Sequence, residues 1–183
     1  MLITLMELFD AAVMTLAVGF IFMNLLNRFT QNYYIKRFEW KVFWFACLIG
    51  APAILLHELA HKFIAMAFGM SATFHAAYMW LGIGILLVLM KSPFLFFVPA
   101  FVAISGNGTN LGYALSSLAG PAMNFVLWMI SLIVLRTQKI QKKHMAFWYL
   151  TKQINMFLFI FNMLPIPGFD GFHFFSNILK VIF

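Results

Sequence analysis

Long apolar runs separated by short polar clusters set the pattern of this chain. The first run, residues 2–26, exceeds the about 20 apolar residues a helix needs to cross a bilayer. The polar, basic stretch NRFTQNYYIKRFEWK follows at 27–41, and a second run at 42–68 predicts a helix kinked near its middle by Pro52. Residues 73–90 predict a third helix. Residues 94–111, FLFFVPAFVAISGNGTNL, are apolar but broken by Pro99, Gly106 and Gly108. They predict a re-entrant or extended segment, which survives at membrane depth only when packed on protein or lining a cavity. A helix is expected over 112–135, a basic loop RTQKIQKKH at 136–144, and a further helix over 145–164 ended by PIPG at 165–168. The apolar tail, 172–183, is too short to span alone and is expected at the interface or against the bundle. The pattern predicts an all-α polytopic membrane protein with about five to six membrane helices. Its single domain comprises an N-terminal helix and basic loop (1–41), a catalytic core (42–172) and a C-terminal tail (173–183).

Composition agrees. The chain of 183 residues is 64% hydrophobic and 9% charged, where a soluble domain has about 45–50% and about 25%. The lipid bilayer is therefore an expected partner. The net charge of +7 comes largely from Arg28, Lys36, Arg37 and Lys41 in one loop and Arg136, Lys139, Lys142 and Lys143 in another. Such clusters mark juxtamembrane loops and exclude a nucleic-acid surface. Cys47 is the only cysteine, which excludes an internal disulfide and a cysteine-based metal cluster. Glu7 and Asp10 stand where a cleavable signal would be basic, so the first run reads as a retained helix.

Against this background the acidic residues are informative. Glu58 and Asp170 lie in or against predicted membrane segments, where an ionisable group costs at least about 2.5–3.5 kcal/mol and is a functional candidate. Glu58 belongs to HELAH at 57–61, of the form H-E-x-x-H. On a helix, positions i and i+4 share a face, so His57 and His61 can present both imidazoles to one metal ion. Glu58 sits about 100° further round and can reach a water without being a ligand. Zinc fits two neutral imidazoles and an open position, and it lowers the pKa of its water to about 7. The competing reading is a pair of core histidines beside a Glu58–Lys62 pair.

A catalytic zinc site needs a third protein ligand, and Asp170 in NMLPIPGFDGF (162–172) is the best candidate. On composition alone, an ordinary exit turn with Asp170 in solvent fits better. Depth favours the site. His57 lies about 24 Å along a helix from Lys41, and the PIPGFDG break about 29 Å along the helix that starts near 145. If both basic loops share a face, the two motifs meet at one level. AGPAMN (119–124), early in an antiparallel helix, reaches it too.

HELAH, GPAMN and NMLPIPGFDG, in this order, resemble the three signature stretches of the site-2 protease family of intramembrane zinc metalloproteases. The resemblance spans 42–172, and residues 73–111 look most like compact archaeal members without a PDZ or CBS domain. It implies His57, His61 and Asp170 as ligands of one Zn2+ ion and Glu58 as catalytic base. It also implies substrate contacts from Asn124 and Asn162. Phe169 departs from the leucine or methionine usual before the aspartate. The implied activity is hydrolysis of peptide bonds within or near transmembrane segments of substrate proteins, in a multi-pass protein of a prokaryotic, archaeal-like cell membrane. Charge bias would put the basic loops in the cytoplasm, whereas the family layout implies the reverse.

The other histidines read more plainly: His144 as solvated in a basic loop, His75 as a helix-start residue, and His173 as a neighbour of the site. NGT at 107–109 matches a glycosylation pattern that Gly-rich loops often produce, and Gly82 and Gly84 read as helix-packing residues. Two other functions compete with the protease. One is an interaction subunit built on the protease fold, with partner membrane subunits. The other is an ion transporter, for which paired intramembrane charges are too few.

Overall fold

The structure, a computed structural model, describes residues 3–29, 38–92, 98–137 and 140–183. Lys36, Arg37 and Lys139 of the two basic loops, and the first part of the expected segment 94–111, lie outside the described residues. Six helices and two strands run in the order α1 (Leu5–Phe29), α2 (Trp40–Ala67), β1 (Ser71–Ala76), α3 (Tyr78–Leu89), β2 (Ala100–Ser105), α4 (Asn110–Arg136), α5 (Lys142–Asn162) and α6 (Asp170–Ile182). The all-α polytopic membrane fold holds. Among the described residues, the helices long and apolar enough to cross a membrane are α1 over Leu5–Leu26, α2 and α4.

One compact unit comprises Met1–Ile54 with Phe74–Phe101. Its first helix starts with a reciprocal cap. Glu7 Oε2 accepts from the Thr4 backbone N–H at 2.8 Å, and Thr4 Oγ1 accepts from the Glu7 N–H at 3.2 Å, which satisfies two donors at the helix start. Glu7 Oε1 also accepts from the Phe74 N–H of β1 at 2.8 Å, and Asp10 accepts from the Tyr78 hydroxyl. Both carboxylates are buried, so they act as ties between α1 and the chain around β1 rather than as solvated helix-end charges. Small residues bring α1 and the first half of α2 together. A Cβ on Gly19 would strike Cys47, and one on Gly50 would strike Phe22. Met23, Phe43, Ala46 and Cys47 form the core there.

The second unit comprises Leu55–Thr73 and Val102–Phe183. It contains the second half of α2, and within it α4 packs against both α5 and α6. Helix α2 ends in a Schellman turn: the Gly69 N–H donates to Met66 O, and the Met70 N–H to Ala65 O. Gly69 takes φ +76°, which a residue without a Cβ adopts cheaply.

Several boundaries differ from expectation. Residues 73–90 are not one helix. Once Gly69 has stopped α2, SATFHA runs as strand β1, and α3 begins only at Tyr78. The strand's alternating exposed and buried positions suit a pleated ribbon. Part of the expected extended segment is strand β2, which pairs with β1. Ala77 N–H donates to Pro99 O, while Gly106 lies beside Met70 and Ser71, so the two strands run antiparallel. The second basic loop is shorter than expected, because Arg136 ends α4 while Lys142, Lys143 and His144 form the first turn of α5. The tail is a helix, α6, packed on α4.

Candidate metal centre

His57 and His61 lie one turn apart on α2, on the face turned to α4. The facing stripe of α4 is Ser116, Gly120 and Asn124, spaced by four residues and all buried. His61 Nδ1 lies 2.6 Å from the Ser116 carbonyl oxygen, and His57 Nδ1 lies 2.6 Å from Asn124 Oδ1. Between these two anchors the chain has only glycine at position 120, because a Cβ there would run into both Nε2 atoms. The imidazoles are pinned from behind and cannot retreat. Gly120→Ala is therefore expected to lower zinc affinity by about 10–100-fold, the range found when a ligand's support is lost. Equilibrium competition against a chromophoric chelator measures this, and parental affinity in the variant would contradict the packing.

Asp170 comes from the other side. The turn Pro165–Phe169 ends α5, and Asp170 is the first residue of α6, with Phe169 as its extended N-cap. Gly171 lets this first turn approach the end of α5 closely, since a Cβ there would collide with the Met163 carbonyl. Asp170 Oδ2 lies 3.1 Å from His57 Nε2 and 3.3 Å from His61 Nε2, and the two Nε2 atoms are 3.0 Å apart. Among the described residues, this is the group of three ligand atoms close enough to share a metal ion.

The donor set fits zinc. The Ser116 carbonyl can only accept, so His61 Nδ1 carries the hydrogen and its neutral ring offers a lone pair at Nε2. Two Nε2 lone pairs facing each other repel unless a cation lies between them. Ligands placed tetrahedrally at about 2.0–2.1 Å from zinc are about 3.3 Å apart, close to the separations seen here. Glu58 is 8% exposed and within electrostatic reach of His57, His61 and Asp170, yet its carboxylate is not one of the three converging donors.

The remaining candidates lie elsewhere. Asn124, implied as a substrate contact, is fully buried, with Oδ1 towards His57 and Nδ2 donating to Asn155 Oδ1. Asn162 is half-buried at the end of α5. His75 is on β1 rather than at a helix start, 3.6 Å from Asp10 Oδ2. His144 and His173 are exposed. Asn155 was not singled out from sequence, although Thr151 and Asn155 stand four residues apart on one face of α5.

Residues 134–183 match the family model described as Peptidase family M50. Over 168 residues, covering 90% of this chain and 81% of the relative, the chain is 31% identical to a protein of Methanocaldococcus jannaschii named "Putative zinc metalloprotease MJ0611". No solved structure matches the chain. Long apolar helices, an H-E-x-x-H turn and a distant aspartate converging on its histidines define a membrane metalloprotease with zinc as its cofactor. The chain belongs to peptidase family M50, the site-2 protease family.

Proposed function

We propose that this metalloprotease is an intramembrane endopeptidase that cuts peptide bonds within or near the transmembrane segments of other proteins. The observation that carries this reading is the convergence of His57, His61 and Asp170 inside a protein whose long helices suit a bilayer. Those three residues would hold the zinc ion. Bound there, zinc supplies a Lewis acid and lowers the pKa of a water.

The chain's own residues do the rest. The Glu58 carboxylate takes a proton from the attacking water as its oxygen bonds to the peptide carbonyl carbon. It then passes that proton to the amide nitrogen as the C–N bond breaks. Burial of the site excludes bulk water, which strengthens each electrostatic contact.

A helical substrate shields its peptide bonds with its own hydrogen bonds, so the segment must unwind before attack. The two-stranded sheet offers an edge for the unwound chain. On β1 the Phe74 N–H is already committed to Glu7, which favours β2 as the receiving strand. Asn162, at the end of α5 near the turn that carries Asp170, would contact the same substrate. The enzyme would work as a multi-pass protein in a prokaryotic, archaeal-type cell membrane.

Purified protein reconstituted in liposomes with a single-span substrate tests this. Mass spectrometry should place the cut within or near the apolar segment, a zinc chelator should stop it, and added zinc should restore it. Cleavage confined to soluble loops far from the bilayer would overturn the intramembrane assignment.

A further inference from the structure

Resting on the ligand assignment above, we infer that Asn155 of α5 is a positioning residue that fixes His57 in its metal-binding tautomer through Asn124. Three hydrogen bonds form a line. Asn155 Nδ2 donates to the Thr151 carbonyl oxygen at 2.8 Å. Asn155 Oδ1 accepts from Asn124 Nδ2 at 2.9 Å. Asn124 Oδ1 lies 2.6 Å from His57 Nδ1.

The direction of the whole line is set by its far end. A backbone carbonyl has no hydrogen to give, so the Asn155 group facing Thr151 must be its NH2. That turns Asn155 Oδ1 towards Asn124, and Asn124 must in turn present its own NH2 there. Only the Asn124 oxygen is then left for His57, so the imidazole must bring the hydrogen on Nδ1. Its lone pair is placed on Nε2, the atom that lies 3.1 Å from Asp170 and 3.0 Å from His61 Nε2.

Both asparagines are 0% exposed, so water cannot stand in for a missing member. His61 has its tautomer set directly by a carbonyl, whereas His57 faces an amide, which could present either end. Asn155 removes that ambiguity from a distance. An asparagine without Asn155 behind it could flip, offer NH2 to Nδ1, and favour the tautomer with hydrogen on Nε2, which leaves no lone pair at the atom facing Asp170 and His61.

The test uses the full chain purified in detergent. Asn155→Leu keeps the size and removes both polar ends. Its zinc affinity, by chelator competition, should fall about 10–100-fold, the range for loss of an outer partner of a ligating histidine. In 15N-histidine-labelled protein, the Nδ1–H signal of His57 seen in the parent should weaken as a second tautomer appears. Asn155→Asp keeps an oxygen facing Asn124 Nδ2 in either protonation state, so it should retain the parental tautomer and zinc affinity within a few-fold. If Asn155→Leu does not fold, Asn155→Asp still decides: a folded Asn155→Asp that loses zinc and the Nδ1–H pattern overturns the relay. So does a folded Asn155→Leu with parental affinity and tautomer. His57→Ala, measured beside them, separates the two levels. Zinc retained in His57→Ala overturns the ligand assignment itself, whereas zinc lost there and kept in Asn155→Leu overturns only the relay.

Discussion

Glu58→Gln is expected to abolish measurable peptide cleavage while leaving one zinc ion bound per chain. The substitution keeps the size of the side chain and removes its basicity. Proton transfer by a positioned carboxylate contributes about 10²–10⁴-fold to such reactions, and Glu58 would act twice, first on the water and then on the leaving nitrogen. The metal should remain because the three converging atoms belong to His57, His61 and Asp170. Turnover of a single-span substrate and metal content measured on the same preparation check both halves. Near-normal turnover would remove Glu58 from the mechanism.

Asp170→Ala should lower zinc affinity and activity together. Two imidazoles alone are an incomplete set for zinc, and the loss should exceed the about 10–100-fold seen when an outer partner is removed. Asp170→Asn keeps an oxygen donor but loses the negative charge, so it should hold more zinc than the alanine variant and remain impaired. Full zinc content in Asp170→Ala would require another third ligand. His173 is the nearest in sequence, but it is exposed on α6.

Much of the candidate site was legible because charge in an apolar run is costly and therefore conspicuous. HELAH stood out by the four-residue spacing of its histidines, and Asp170 by the Pro-Ile-Pro-Gly break before it. The strand β1 was not legible in the same way. Six residues of SATFHA between a helix and an apolar segment look like helix by hydropathy, and the informative residue was Gly69 just ahead of them. The start of α5 was hidden because Lys142, Lys143 and His144 are polar enough for a loop, although a first helical turn tolerates them. Asn124 was visible within its motif, but what it touches was not. Its partner Asn155 stands 31 positions further on, and an asparagine beside Thr151, Lys152 and Gln153 gains meaning only once the helix facing it is known.

Position 170 begins a helix that follows the whole of α3, α4 and α5, whereas positions 57 and 61 belong to α2. An ion shared among them would close a loop of more than a hundred residues in a chain whose lone Cys47 cannot form an internal disulfide. Metal affinity and fold stability are then one linked quantity, since an ion that binds only the folded chain at a hundred times its Kd adds about 2.7 kcal/mol. Held by His57, His61 and Asp170, the cofactor that equips the site for chemistry would thus also serve this protein as a long-range staple.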